Sequence, residues 1–355
     1  MDHASRFSPT QLEHPIVQAP MGGGPSTPAL ASAVTDAGGL GFLAAGYRTT
    51  ESVRADIESV RGRTGGPFGV NLFVPTAATV DLAPVERYAG SLCDEAERYG
   101  AQPGEPRHDD DGWAGKLALL AELRVPVVSF TFGCPPADVV GRLQVAGAAV
   151  WVTVTTVPEA VTAQRAGADA LVVQGVEAGG HRGSFDDAAP GEVGLLALLQ
   201  LLAGTVDVEL VACGGLATGR GVAAVLVAGA VAAQLGTAFM LAPEAATSAP
   251  HREALGRGGE TELTRAFTGR TARGLVNRFM RDHGAAAPSA YPEVHHVTAP
   301  LRAAARERGD PEGINLWAGQ AHPLAEELPA GELVRRLSEQ ARVALRDTAA
   351  RMSSS

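Results

Sequence analysis

His181, set among glycines, is the residue in this chain best placed to do chemistry. It lies in Gln174-Gly175-Val176-Glu177-Ala178-Gly179-Gly180-His181-Arg182-Gly183. Glycines on both sides let the backbone pass close to something flat or charged, and a histidine held only for packing would sit amid apolar neighbours. The setting fits a general acid/base, or a cationic clamp for an anionic substrate. Gln174, at the head of the loop, is suited to hydrogen-bonding a ligand ring or to capping a buried polar gap.

Two further glycine turns look built for an anion: Cys213-Gly214-Gly215-Leu216-Ala217-Thr218-Gly219-Arg220, and Gln234-Leu235-Gly236-Thr237. Bare backbone N–H groups followed by helix starts are the usual means of holding phosphate. Met21 and Gly22, in Gln18-Ala19-Pro20-Met21-Gly22-Gly23, offer a polarizable side chain for a flat ring, although a gap-filling methionine has the same appearance. Asn71 is a costly amide for a buried strand unless it has a partner. Cys134 has no visible base beside it and reads as an inert thiol. Asp109, Asp110 and Asp111 read as a solvated turn, since consecutive carboxylates lack metal-ligand spacing.

The elements that must carry these residues repeat a simple rhythm of short apolar run, Gly-rich or polar turn, and Ala-rich amphipathic stretch, which marks βα units. Eight strands are predicted: Ile16–Ala19, Leu40–Leu43, Phe68–Phe73, Val127–Phe130, Ala149–Val154, Ala170–Gln174, Glu209–Ala212 and Val231–Leu235. Helices are predicted over Thr27–Ala37, Thr50–Arg61, Ala137–Ala146, Val157–Ala166, Val193–Ala203 and Arg220–Val227. No GxGxxG follows the first strand, as an open dinucleotide-binding sheet would require. The fold class is therefore α/β, a (β/α)8 TIM barrel, in which function collects at the strand C-termini and phosphate after the last two strands. Residues 1–83 and 125–242 are assigned to the barrel. Residues 84–124 and 243–355 are expected to form a smaller, mostly helical cap over one mouth, with Met352–Ser355 frayed.

Composition narrows the partners. The chain has 355 residues with a formal net charge of −10, which argues against nucleic acid and against an anionic membrane surface. Leu195–Leu202 is too short to span a bilayer, and Met1–His14 has no cleavable signal character. Cys93, Cys134 and Cys213 are widely spaced, so reduced thiols in the cytoplasm are expected.

Taken together, QAPMGG at Gln18–Gly23, NLF at Asn71–Phe73, SFTFG at Ser129–Gly133, QGVEAGGHRG at Gln174–Gly183, ACGGLATGRG at Ala212–Gly221 and QLGTAF at Gln234–Phe239 resemble the nitronate monooxygenase family, formerly 2-nitropropane dioxygenases. Asn315-Leu316-Trp317-Ala318-Gly319-Gln320 resembles the family's cap segment. The resemblance implies FMN bound non-covalently by Met21, Gly22, Asn71, Gln174, Gly179, Gly180, Gly214, Gly215 and Gln234 through Leu235 and Gly236 to Thr237, with His181 as the catalytic histidine. It implies oxidation of alkyl nitronates, such as propionate 3-nitronate, by O2, with one-electron transfer to the flavin and a carbonyl product plus nitrite or nitrate. A partly protonated His181 would then stabilise the anion, or a neutral one would deprotonate a nitroalkane. Related flavin barrels that use NAD(P)H, of the enoyl-acyl-carrier-protein or quinone reductase type, are the nearest alternative, followed by a non-catalytic flavin-binding protein. A homodimer is compatible with the sequence.

Overall fold

The computed structural model describes residues 6–76 and 81–353. The last two residues of the expected frayed end lie outside them; Met352 and Ser353 are the exposed end of the final helix.

Eight parallel strands wind through the chain, each expected strand found within one or two residues of its predicted limits. In order come β1 (Ile16–Gln18), α1 (Pro28–Asp36), β2 (Gly41–Ala44), α2 (Thr50–Arg61), β3 (Phe68–Phe73), α3 (Ala83–Gly90), α4 (Cys93–Tyr99) and α5 (Trp113–Glu122). There follow β4 (Val127–Thr131), α6 (Ala137–Val145), β5 (Ala149–Val154), α7 (Val157–Arg165), β6 (Ala170–Gln174), β7 (Gly180–His181) and α8 (Leu195–Leu202). The rest is β8 (Glu209–Cys213), α9 (Gly219–Val227), β9 (Ala232–Leu235), α10 (Ala249–Arg257), β10 (Thr261–Thr264), β11 (Ala272–Leu275), α11 (Arg278–His283), α12 (Glu293–Glu307) and α13 (Ala330–Ser353). The barrel order is β1-β9-β8-β6-β5-β4-β3-β2, and Val17 bridging Leu40 brings its ends together.

Strands buried on both faces must be apolar throughout, and β5 and β6 are buried at every position. Inside the barrel, Val17, Phe42, Val127, Trp151, Val172 and Val211 fill the end away from the active-site loops. Threonines start four of the outer helices: Thr27, Thr49, Thr156 and Thr218 each accept a hydrogen bond from the backbone three residues on, at Leu30, Ser52, Glu159 and Gly221.

Two helices that the boundaries 84–124 and 243–355 group with the cap pack on the barrel. Leu117, Leu119 and Leu120 of α5 join the core beneath α2 and α6. Leu333, Val334, Leu337 and Ala341 of α13 pack with α1 and α9, filling the outer ring after β9. A separate apolar cluster unites α3 and α4 with the C-terminal part through Val85, Tyr88, Leu92, Phe267, Phe279, Val294 and Leu301. The C-terminal part also contains strands that the apolar-run pattern does not reveal. β10 pairs antiparallel with β11, and β11 pairs with β7, so the strand that carries His181 belongs to this second sheet.

Candidate active site

The strand C-termini open on a cavity of about 450 Å³. Every residue that the sequence singled out for the site lies on its wall: His181, Met21, Gly22, Asn71, Gln174, Gly179 and Gly180, the Gly214–Gly215 turn, and Gln234 through Thr237.

The loop that carries His181 is held from beneath. Gln174 Oε1 accepts from the Gly183 N–H at 2.8 Å and from Arg182 Nη1 at 2.9 Å, and its Nε2 donates to the His181 carbonyl at 3.1 Å. Arg182, fully buried, also donates to the carbonyls of Gly175 at 2.6 Å and Gly191 at 2.7 Å. Gln174 thus faces the cavity, but most of its hydrogen-bonding capacity organises the loop, which is the gap-capping alternative raised by the sequence. Glu177, in the same loop, accepts from Leu195 N at 3.0 Å and so caps α8. Gly179 has no room for a side chain, because the backbone of Ala318 and Gly319 presses against it.

His181 is half-buried in the wall. Its Nε2 lies 2.9 Å from Thr268 Oγ1, and Thr268 in turn donates to the Arg270 carbonyl at 3.2 Å. With the hydroxyl donating there, the imidazole donates through Nε2–H and Nδ1 is the bare nitrogen. Phe132, Tyr291 and Trp317 surround the ring at centroid distances of 5.5, 6.1 and 5.5 Å. Burial, together with the nearby Arg270 guanidinium, pushes its pKa down to about 3, which Asp187 only partly opposes. A pKa that low favours the neutral imidazole, the general-base alternative of the sequence, over the partly protonated clamp.

Two buried amides show unused capacity. Asn71 Nδ2 donates to Ser129 Oγ at 2.9 Å and Thr131 Oγ1 at 3.0 Å, while its Oδ1 accepts from no described residue. Gln234 contacts Cys213 Sγ at 3.7 Å through Nε2, and its Oε1 is likewise unused. Both side chains are on the cavity wall, so both present a carbonyl acceptor that a ligand N–H would satisfy. Gly214 and Gly215 have φ of 115° and 65°, a backbone that only glycine adopts without strain. Thr237 Oγ1 accepts from Gly319 N at 3.1 Å and joins the last barrel turn to the C-terminal segment. Burial pushes the Cys134 and Cys213 thiols up to about 11, so neither is a nucleophile near neutrality. The triple aspartate is more engaged than a solvated turn. Asp111 pairs with the buried Lys116 at 2.7 Å and accepts from Tyr47 N at 2.9 Å, while Asp109 meets His296 at 2.7 Å.

The family model for nitronate monooxygenase matches residues 6–340. The chain belongs to the nitronate monooxygenase family. Among the relatives of this family, the nitronate monooxygenase of Pseudomonas aeruginosa is 45% identical over 93% of this chain and 97% of its own length. That of Paraburkholderia phytofirmans is 40% identical over 93% and 92%. A solved nitroalkane oxidase from Streptomyces ansochromogenes superposes with a TM-score of 0.93 at 51% identity, covering 96% of this chain and 99% of the other. FabK from Thermotoga maritima is more distant, with a TM-score of 0.76 at 27% identity and 96% coverage of each. The nitronate monooxygenase family is flavin-dependent. Among the described residues, no helix is long and apolar enough to cross a membrane.

Asn315, Trp317 and Gly319 of the expected cap segment lie on the wall, and the C-terminal part adds residues that no motif marks. Thr268, His295, Ala299, Arg302 and Arg306 all line the cavity. For all but Thr268 the signal was present in α12, where positions 295, 299, 302 and 306 fall on one helical face; a face bearing histidine and arginine reads as solvated until something covers it.

Proposed function

We propose that the chain is an FMN-dependent nitronate monooxygenase that oxidises small anionic alkyl nitronates with O2 to a carbonyl compound plus nitrite or nitrate. The observation that carries the reading is a half-buried imidazole, bonded to Thr268, on the same cavity wall as glycine turns and two amide carbonyls that accept from no described residue. Those residues fit the cofactor. Gly214, Gly215, Gly236 and Thr237 supply backbone donors suited to a phosphate, and the unused acceptors of Asn71 and Gln234 match the N–H of a flavin ring. Met21, Gly22, Leu235, Gly179 and Gly180 supply flat, close-approach surface. Bound there, FMN supplies the electron acceptor and the reactivity toward O2.

The chain's own residues position the substrate and handle protons. With Nε2–H committed to Thr268, Nδ1 of His181 is able to accept a proton from a carbon that bears a nitro group, generating the nitronate in place. Phe132 and Trp317 pack around the ring, and the Gln174–Arg182 bonds fix the backbone beneath it. The unpaired thiols support a cytoplasmic setting.

The purified protein is expected to show the visible spectrum of oxidised flavin, and anaerobic propionate 3-nitronate is expected to bleach it. A colourless protein that takes up no FMN would sink the reading. Bleaching by NADH or NADPH but not by nitronate would transfer the chain to the reductase alternative.

A further inference from the structure

The chain carries 39 acidic and 29 basic residues, yet among the described residues no aspartate or glutamate lines the cavity. The charged side chains on its wall are Arg302 and Arg306, one helical turn apart on α12. Arg302 is buried and held by neutral acceptors alone. Nε donates to Thr298 Oγ1 at 3.0 Å, Nη1 to Asn315 Oδ1 at 3.3 Å, and Nη2 to His295 Nδ1 at 3.2 Å and its carbonyl at 3.1 Å. The Arg306 guanidinium, exposed at its end of the stripe, makes no hydrogen bond or ion pair with any described residue. Burial without a carboxylate lowers the Arg302 pKa to about 10, which leaves it charged.

A buried cation without a counterion is costly, and proteins rarely keep one unless a ligand completes it. His295 does not share the charge. Because arginine only donates, His295 Nδ1 must accept, and burial beside Arg302 keeps that ring neutral. On the proposed function the glycine turns would hold the cofactor phosphate and His181 would handle the proton, so the two guanidinium groups remain unassigned. A chain of contacts links His181 to the Arg302 end of the wall: Tyr291, behind the lining, meets the His181 ring and lies 3.2 Å by its hydroxyl from that of Tyr47, and Tyr47, on the wall, stacks on His295 at 4.2 Å.

We propose that Arg302, assisted by Arg306, forms a subsite for a second anionic group on the substrate, so that the enzyme selects nitronates with a carboxylate tail over those with an alkyl tail. This deepens the proposed function and rests on it. Arg302 binds the tail while the nitro end lies at His181, and no bond changes at the arginine.

The test compares propionate 3-nitronate with propyl-1-nitronate in the flavin-loaded enzyme. Arg302→Met is expected to lower kcat/KM for the carboxylate substrate roughly 10- to 100-fold, mainly through KM, as loss of a charge-assisted hydrogen bond predicts. Propyl-1-nitronate should change by less than about twofold, and Arg302→Lys should restore part of the discrimination. Succinate, a non-reacting dicarboxylate, should inhibit the wild type competitively and Arg302→Met weakly. Equal losses for both nitronates overturn the proposal, as does a variant that loses its flavin, which would assign Arg302 to the cofactor. If Arg302→Met does not fold, Arg306→Ala decides: discrimination must fall and become less salt-sensitive, and unchanged discrimination overturns the proposal. Failure of the wild type to oxidise either nitronate instead refutes the function on which the subsite rests.

Discussion

On the barrel side, the cavity wall includes bare glycine backbone, at Gly214, Gly215, Gly236 and the Gly179–Gly180 turn, after β8, β9 and β6, of which β6 and β9 are buried at every position. On the α12 side it is long side chains, His295, Arg302 and Arg306, on a helix anchored in its own apolar cluster through Val294, Val297 and Leu301. Backbone N–H groups give directed partial charge that does not titrate and costs little to desolvate. Guanidinium groups give full charge at the expense of burying an ion. The first arrangement suits a permanently bound group of fixed shape, and the second suits a ligand that comes and goes and must be told from its neighbours.

The sharpest way to break this division is at the residue between the two walls. Replacing His181 with Asn should lower turnover of neutral nitroalkanes by roughly 10²- to 10⁴-fold, the range for a lost general base. Flavin content, read from the visible spectrum, should be unchanged; turnover equal to wild type would show that the imidazole is idle.

A second test concerns neutrality. Burial first, with neighbouring arginines, lowers His181 to about 3, His251 to about 4 and His295 to about 2, all from 6.5. Each folded value is below its unfolded one, so each histidine's contribution is complete above pH 6.5 and is lost as the pH falls toward the folded pKa. Stability should therefore drop by roughly 1.4 kcal/mol per pH unit for each histidine below pH 6. Thermal melts from pH 7 to 4.5 measure this. His295→Leu should flatten the slope by about one proton's worth, and an unchanged slope would mean that the ring titrates normally in the fold.

The glycine wall is probed by Gly215→Ala. At φ 65°, with Glu177 Cβ 2.9 Å from the added methyl, strain of about 1–3 kcal/mol is expected. FMN affinity should fall while the ratio between carboxylate and alkyl substrates holds; a shift in that ratio would show that the two walls are not independent. The smallest effect belongs to Tyr47→Phe. It removes one hydroxyl contact to Tyr291 and should cost about 1 kcal/mol or less by denaturant unfolding, without changing flavin content.

The barrel side was legible because its physics is local. A parallel strand buried on both faces must be a continuous apolar run, and a turn that receives an anion must be glycine-rich, so β6 and the Gly214–Gly215 turn can be read within a few residues. The other wall depends on distant partners. Arg302 looks like a solvated helix residue until Asn315, beyond the end of α12, accepts from it and Tyr47, from far away in the chain, stacks on its neighbour His295. β10 and β11 are short, and Arg273 in the second is buried only because it donates to the carbonyls of Val176 and Thr261. Gln174 shows the intermediate case: its place at the strand end was evident, but its partner Arg182 was not.

The two-residue strand Gly180–His181 has an evolutionary corollary. The imidazole proposed to react is shared property, emerging from a barrel loop but clipped to β11 of the C-terminal sheet. Modular exchange of that sheet between homologues, the obvious route to new substrate ranges, would disturb the footing of the histidine along with the pocket. Diversification of such an enzyme should therefore proceed by point changes on α12 more readily than by transplanting whole segments.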